Sequence, residues 1–283
     1  MSTQNTTLSE STKQLHQSKL LKLSELGITD FTDTEKVITT IKSISTNLNT
    51  QKVYTQAVLS SLPDNKVYKQ QVKLLSSTIQ SQENENKLTD KQKATFIPWE
   101  EILEIRDNYK TTITQNSKYV KKTPYKNLLL LSIYTYIPPR RIEDYVKMYS
   151  FINRPDQLDT SINYYIQSER IFIFNTYKTS SNYGTQEIHL PDELYNIIDE
   201  YIRVYKITDE SSLLNYSRGQ NLSDAIGDLF TKLVNKRVTV DTIRHAFSTY
   251  QHNKMPTVAD RIDYTEKMGH SIIQDLKYVK YTE

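Results

Sequence analysis

The sequence predicts a mainly α-helical protein that contains a small β-hairpin or sheet. Apolar residues recur at helical spacing over residues 20–26 and 37–44, and again from residue 194 to the end of the chain. Two short runs of β-type residues, 171–174 and 186–190, flank a polar tip, which is the pattern of a hairpin with a long turn. No repeat of about 20 to 50 residues occurs, so a solenoid is excluded.

Composition excludes several kinds of functional site. The 283 residues include no cysteine, which excludes disulfide scaffolds, thiolate metal sites and cysteine nucleophiles. Five glycines are present, and neither a Walker-type loop nor a GxGxxG pattern occurs. The net charge of +3 permits a nucleic-acid partner without requiring one. No apolar run reaches the about 20 residues of a membrane span, and no secretion signal is recognisable, so we expect an intracellular protein (nuclear or cytoplasmic) with no membrane partner.

The order of segments predicts two domains, as the length also favours at roughly 150 residues per domain. Residues 1–15 are rich in Ser, Thr, Asn and Gln and are expected to form a flexible N-terminus. Helical patterns over residues 16–80 predict a small helical bundle, and the polar stretch 81–96 is typical of a linker. Residues 97–283, in which Pro98 is placed to start a helix, then form a second domain.

Polar side chains that helical packing does not require occur at four separate places. They have in common the chemistry of phosphate binding and proton transfer, and they are Arg140 with Arg141, Lys178, Arg244, and His270 with Tyr278 or Tyr281 after it. Guanidinium groups pair with the non-bridging oxygens of a phosphodiester, and His and Lys can supply protons. A tyrosine hydroxyl can attack phosphorus to form a covalent intermediate. No metal-ligand spacing accompanies these residues, so we expect neither a metal nor another cofactor.

The order Arg, Lys, Arg-His, Gly-His, Tyr resembles that of the tyrosine recombinase/integrase family, the phage- and virus-type site-specific recombinases. Two motifs carry most of the resemblance. Ile243-Arg-His-Ala-Phe-Ser-Thr249 is similar to the family's Leu-Arg-His-x-Phe-x-Thr, and Met268-Gly-His-Ser271 is similar to its Leu-Gly-His-Ser. The resemblance implies a helical DNA core-binding domain over residues 16–80 and a tyrosine-recombinase-like catalytic domain over residues 97–283.

The resemblance also implies roles for the individual cations. Arg141, which is followed three residues later by Asp144, matches the family's first arginine better than Arg140, which remains an alternative. Lys178 lies where the family carries its hairpin lysine, the general acid for the departing 5′-oxygen. Arg244 is implied as the second clamp on the phosphate.

The C-terminal motif is implied to supply the phosphate-binding histidine and the nucleophile. His270 would hydrogen-bond the scissile phosphate, and Ser271 with Gln274 has the pattern of a capping box, which predicts a new helix that carries the tyrosine. Tyr278 follows His270 by eight residues and Tyr281 by eleven. The family spacing favours Tyr278 as the nucleophile, with Tyr281 as the alternative.

One position departs from the family pattern. Three residues before Arg244 the family usually has His or Lys, whereas this chain has Asp241. Because residues at i and i+3 share a helix face, Asp241 could orient the Arg244 guanidinium. It could also cap the helix, or mark weakened activity.

The implied function is site-specific DNA recombination, in which strands are cleaved and rejoined through a 3′-phosphotyrosyl intermediate without metal. Integration or excision of a viral or mobile element is the expected process, and the expected partners are double-stranded DNA and further copies of the chain, as a homo-tetramer on paired sites. A basic–aromatic stretch supplies candidate contacts to DNA phosphates at Lys118, Lys121, Lys122 and Lys126.

Three other interpretations remain. A type IB topoisomerase-like enzyme or a resolvase would use a related catalytic set and differ in the DNA product. A catalytically inactive DNA-binding protein of the same fold is the second, and Asp241 is the feature that favours it. A purely structural helical protein would leave the ordered set of polar residues as coincidence, and we rank it last.

Overall fold

The computed structural model describes residues 8, 10–115 and 122–281. The chain forms two compact units, Met1–Glu85 and Asn86–Glu283. Lys118 and Lys121, two of the expected DNA contacts, lie outside the described residues.

The first unit consists of four helices: α1 (Glu10–Glu25), α2 (Thr34–Ile44), α3 (Leu48–Ser61) and α4 (Lys66–Asn84). Side chains of Asp33, Asn47 and Asn65 cap the last three by accepting a hydrogen bond from the exposed N–H groups of the first turn. The helices bury a shared apolar core that includes Leu23, Ile28, Val37, Ile41, Tyr54, Val58 and Tyr68. Helix α1 begins at Glu10, within the segment 1–15 for which flexibility is expected.

The stretch 81–96, expected as a linker, contains helical structure. Helix α4 continues to Asn84, and α5 (Asp90–Thr95) follows it. The cause is a reciprocal capping box, in which the Thr89 side chain accepts from the Gln92 N–H and the Gln92 side chain accepts from the Thr89 N–H. The division between the two compact units nevertheless falls inside this stretch, between Glu85 and Asn86.

The second unit packs helices around a small mixed sheet. After α5 its helices are α6 (Trp99–Gln115), α7 (Lys122–Ile133), α8 (Ile142–Val146), α9 (Ser180–Tyr183), α10 (Asp192–Tyr205), α11 (Gly219–Val234), α12 (Val240–Asn253), α13 (Val258–Lys267) and α14 (Ile272–Tyr278). Helix α7 is apolar around most of its circumference, and its leucines 128–131 are all buried in the core. Within the described ranges, no helix is both long and apolar enough to cross a bilayer.

In the described residues the sheet has five strands in the order β4-β3-β2-β1-β5. The strands are β1 (Met148–Phe151), β2 (Asn163–Ile166), β3 (Ile171–Phe174), β4 (Gln186–His189) and β5 (Ser211–Ser212). Strands β1 and β2 are parallel, and the other neighbours are antiparallel. The predicted hairpin is present as β3 and β4, with Phe174 opposite Gln186 and α9 at its tip. The predicted class, mainly α with a small sheet, is therefore confirmed.

Aromatic contacts connect the sheet to α8, beside the hairpin. Phe172 is fully buried in β3, and its ring lies edge-on to those of Tyr145, Tyr165 and Phe174, with centroids 6.1, 5.6 and 5.9 Å away. Such pairs contribute about 0.5–1.5 kcal/mol each beyond the area they bury. The short strands thus depend on this cluster for much of their stability.

Replacing Phe172 by Ala is expected to lower the free energy of unfolding by about 3–5 kcal/mol, since it leaves a cavity and removes three ring contacts. Urea denaturation followed by circular dichroism measures the change. Ile152→Ala is the control, because Ile152 follows β1 and is 50% exposed, and we expect a loss below about 1 kcal/mol. Equal losses of unfolding free energy in the two variants would show that the Phe172 ring contacts do not stabilise the protein.

Candidate active site

Three consecutive backbone carbonyls at the C-terminal end of α13 each accept a hydrogen bond from a different arginine. The Lys267 carbonyl accepts from Nη1 of Arg140 at 2.7 Å. The Met268 carbonyl accepts from Nη1 of Arg244 at 3.3 Å, and the Gly269 carbonyl from Nη1 of Arg141 at 2.9 Å. The last carbonyls of a helix lack partners within the helix and carry the negative end of its dipole, so this end of α13 is suited to bind cations.

Arg140 is held by contacts within the protein at Nε and Nη1, while its buried Nη2 has no hydrogen-bond partner among the described residues. Its side chain is fully buried, its Nε lies 2.8 Å from Asp144 Oδ2, and its Nη1 also donates to Gln186 Oε1 at 2.7 Å. The guanidinium carbon lies 3.9 Å from the centroid of Phe174. Burial raises the pKa of the Asp144 carboxyl, and Arg140 opposes this effect. Arg140 is thus part of a buried ion pair that joins α8 to the hairpin.

Arg141 differs from its neighbour in being only half-buried. Burial and the positive charge of Arg244 lower the pKa of the Arg141 guanidinium. Two guanidinium groups are therefore held close together against their mutual repulsion. An anion bound between them would relieve that repulsion.

Arg244 joins three segments of the second unit. It lies on the buried face of α12, is 1% exposed, and donates from Nη1 to the Pro139 carbonyl at 2.5 Å. Its Nη2 lies 2.8 Å from Nδ1 of His270. Because a guanidinium only donates, Nδ1 must accept, and the neutral His270 ring then carries its proton on Nε2. Burial, together with the charges of Arg244 and Arg141, lowers the pKa of His270, although Asp275 opposes this shift.

The glycine before His270 is required by its backbone and by its surroundings. Gly269 has φ +69°, and a Cβ there would lie 3.0 Å from Nη2 of Arg140. Its carbonyl accepts from Thr179 Oγ1 at 2.7 Å as well as from Arg141. The Gly-His motif thereby brings the hairpin turn and the arginines together.

Tyr278 lies over the cationic groups. It is the last residue of α14, and its ring stacks on His270 at a centroid distance of 5.3 Å and an interplanar angle of 25°. The guanidinium carbon of Arg244 lies 4.8 Å from the same ring. Tyr281 is 55% exposed, and its backbone N–H donates to the carbonyl of Asn86. The structure thus brings Tyr278, and not Tyr281, into contact with the arginine and the histidine.

Asp241 lies beside the same tyrosine. Its Oδ2 is 3.3 Å from Nε2 of His245, and Nδ1 of His245 donates to the backbone carbonyl of Tyr278 at 2.8 Å. Burial raises the pKa of the Asp241 carboxyl, but side-chain contacts with His245 and Tyr278 and the charge of Arg244 outweigh it and leave the pKa lowered. A carboxylate therefore lies at the side chain of the candidate nucleophile.

Lys178 lies in the turn that precedes α9 and is exposed. Its neighbours on both sides touch the arginine cluster, since the Tyr177 ring lies 4.7 Å from the guanidinium carbon of Arg140 and Thr179 donates to the Gly269 carbonyl. Across the described part of the chain, the Lys178 amine has no hydrogen bond or ion pair. The turn thus places Lys178 at the edge of the site.

The lysines expected to contact DNA are engaged with tyrosines where they are described. The Nζ of Lys126 lies 3.9 Å from the ring centroid of Tyr216, and burial lowers the pKa of Lys126. The Nζ of Lys122 lies 5.7 Å from the ring of Tyr205. Among the described residues neither lysine has a hydrogen bond or ion pair with the arginine cluster, so these two residues form a separate basic–aromatic surface.

Sequence reasoning missed the buried polar partners of the site. Asp275 is 1% exposed and accepts from Ser248 Oγ at 2.5 Å and from the Tyr264 hydroxyl at 3.0 Å. A carboxylate at a buried helix position is a detectable anomaly, but its partners become apparent only in the folded chain. No group of three His, Asp or Glu side chains suited to hold a metal occurs among residues 10–115 and 122–281.

Comparison with known proteins finds similar folds among solved structures. No protein-family model matches the chain, and no curated protein matches it. The crystal structure of XerA recombinase aligns with 98% of this chain and 89% of its own chain, with 12% sequence identity and a TM-score of 0.46.

Replacing Asp144 by Asn is expected to lower the free energy of unfolding by about 3–5 kcal/mol, because it leaves the fully buried Arg140 charge without its counter-ion. Urea denaturation at neutral pH measures the change. Asp192→Asn is the matched control: its ion pair with Arg170 is 2.9 Å long, close to the 2.8 Å of the Arg140–Asp144 pair, but its side chain is 81% exposed, and the expected loss is at most about 1 kcal/mol. A loss as small for Asp144→Asn would show that the ion pair does not hold the site together.

Proposed function

We propose that this chain is a site-specific DNA recombinase that cleaves and rejoins strands through a tyrosine–phosphate bond. The observation that carries the proposal is the packing of the Tyr278 ring on Arg244 and His270, next to Arg141. A nucleophilic hydroxyl and two guanidinium groups are the parts that a metal-independent transfer of a phosphodiester requires.

The charge of the cluster supports an anionic substrate. Arg140 is paired with Asp144, whereas neither Arg141 nor Arg244 forms an ion pair with a carboxylate within the described ranges. Both are held by neutral carbonyl groups, and the buried Nε of Arg244 has no hydrogen-bond partner. Their positive charge is therefore available to a phosphate, and a buried donor without a partner favours a bound acceptor.

In the proposed cleavage step, the Tyr278 oxygen attacks the scissile phosphorus while the bond from phosphorus to the 5′-oxygen breaks. Asp241 accepts the hydroxyl proton, and Lys178 gives a proton to the departing 5′-oxygen. Arg141, Arg244 and His270 would stabilise the charge on the non-bridging oxygens. Strand joining reverses these transfers: a 5′-hydroxyl attacks the phosphotyrosine, and the tyrosine oxygen leaves.

The DNA-free arrangement is closed over the phosphate site. The Tyr278 ring covers Arg244 and His270, each of which is 1% exposed. A phosphate can reach these groups when the ring moves aside, and the position of Tyr278 at the C-terminal end of α14 allows this with little change to the core. When DNA binds, the phosphate would displace the Tyr278 ring, and the hydroxyl of that ring would then lie beside the phosphate.

The wider proposal concerns partners and process. Double-stranded DNA would lie along the arginine cluster, with Lys118, Lys121, Lys122 and Lys126 as further phosphate contacts, and copies of the chain would assemble as a homo-tetramer on paired sites. The resemblance in the sequence motifs supports integration or excision of a viral or mobile element as the process.

Replacing Tyr278 by Phe is expected to abolish the covalent protein–DNA adduct, because the attacking oxygen is lost. The measurement uses nicked duplexes of randomised sequence, which trap the intermediate, and a denaturing gel from which covalently bound DNA is recovered and sequenced. Tyr281→Phe is the control and should retain the adduct, since Tyr281 does not contact the cluster.

Each other result has a definite meaning. Loss of the adduct only with Tyr281→Phe would identify Tyr281, and not Tyr278, as the nucleophile. Wild-type protein that binds DNA without forming any adduct would favour a non-catalytic DNA-binding protein. Relaxation of supercoiled DNA without joining of two duplexes would favour a topoisomerase.

Replacing Asp241 by Asn is expected to slow adduct formation about 100-fold, which is typical of losing a proton acceptor, while DNA affinity stays within about twofold. Rates come from rapid quench and affinities from gel shifts. Asp263→Asn on α13 is the control, because that carboxylate pairs only with exposed Lys267 at 2.7 Å, and its rate should not change. Unchanged rates in both variants would remove Asp241 from the mechanism.

A further inference from the structure

A buried chain of polar groups extends from Asp275 through His270 to Arg244. Nδ1 of His270 lies 2.8 Å from Nη2 of Arg244, and Nε2 of the same ring lies 3.6 Å from Oδ1 of Asp275. All three side chains are 1% exposed. The imidazole thus has the guanidinium at one nitrogen and the carboxylate at the other.

The Asp275 carboxylate is itself fixed from two directions. Oδ1 accepts from Ser248 on α12 at 2.5 Å, and Oδ2 accepts from the Tyr264 hydroxyl on α13 at 3.0 Å. Burial raises the pKa of the Asp275 carboxyl, but the nearby His270 ring and hydrogen bonds from Ser248 and Tyr264 outweigh it and leave the pKa lowered. Asp275 is therefore a charged group in a position defined by two neighbouring helices.

The His270 ring has little freedom between these partners. Nε2 carries the proton, because Nδ1 accepts from Arg244, and Nε2 has no hydrogen-bond partner in the described structure, with the Asp275 carboxylate 3.6 Å away. One face of the ring is covered by Tyr278. Rotation of the ring by half a turn would place a C–H against Arg244 and leave a buried donor unpaired, at a cost of about 1–3 kcal/mol.

We infer that Asp275 is a positioning residue, which acts through His270 to hold the Arg244 guanidinium in place for the phosphate. Its role in DNA cleavage rests on the proposed function. Its effect on the imidazole does not, since the contacts exist without DNA.

A double-mutant cycle tests whether Asp275 acts through His270. Asp275→Asn, which keeps the shape and removes the charge, is expected to slow adduct formation about tenfold or more, as is usual when a carboxylate that orients a functional histidine is lost. In a His270→Gln background the same change should alter the rate by less than about twofold, because the connecting ring is absent. An equal loss in both backgrounds would overturn the inference.

Tyr264→Phe is the matched control. It removes the hydrogen bond to Oδ2 but leaves the charge and the Oδ1 atom that faces His270. We expect a loss of stability with an adduct rate within about threefold of wild type. A rate as low as that of Asp275→Asn would show that general loosening of α14, and not the charge at His270, causes the effect.

A measurement without DNA separates this inference from the proposed function. In ¹⁵N-histidine spectra, wild-type His270 should be neutral with its proton on Nε2, and its titration reflects Arg244, Arg141, Asp275 and the stacked Tyr278. Asp275→Asn should move that titration to lower pH, because a negative charge that favours the protonated ring is lost, while Tyr264→Phe should leave it in place.

Failure of the positioning role of Asp275 and failure of the proposed function therefore give different results. An unmoved His270 titration in Asp275→Asn would overturn the positioning role whatever the DNA chemistry. A shifted titration in a protein that forms no adduct would preserve the contact and reject the recombinase function.

Discussion

The convergence of three arginines, two of them fully buried, on one helix end is the constraint on which the site depends. A buried cation is costly unless each donor finds an acceptor, and α13 supplies three successive carbonyls to Arg140, Arg244 and Arg141. Because these arginines come from the segment before α8 and from α12, the same contacts join parts of the chain more than a hundred residues apart. Fold and site are thus held by one set of hydrogen bonds.

The three arginines differ in the groups that accept their hydrogen bonds, and this distinguishes Arg140 from Arg141 and Arg244. Arg140 has a carboxylate partner in Asp144, so its charge is consumed within the protein. Arg141 and Arg244 have carbonyl partners, which satisfy hydrogen bonds without cancelling charge. Under the proposed function this division suits a phosphate site, since the donors are oriented in advance and still carry their charge.

Carboxylates around the site occupy distinct positions. Asp144 neutralises a buried arginine, Asp275 lies behind His270, and Asp241 is exposed beside Tyr278. Asp241, three residues before Arg244, departs from the family pattern. It is neither a phosphate ligand nor a simple helix cap, because Thr239 caps α12. Under the proposed function, its position beside His245 and Tyr278 fits a role in accepting the proton of the tyrosine.

The sequence by itself determined the mainly helical class, the hairpin and the positions of the chemical residues along the chain, because these follow from local periodicity, turn residues and short motifs. It also predicted the helix that begins after Ser271, whose side chain accepts from the Gln274 N–H. Only the tertiary structure decided which of Arg140 and Arg141 is consumed by an ion pair, which tyrosine meets the arginines, and that Asp275 lies behind His270. Those outcomes depend on contacts between residues far apart in the chain, which local patterns do not encode.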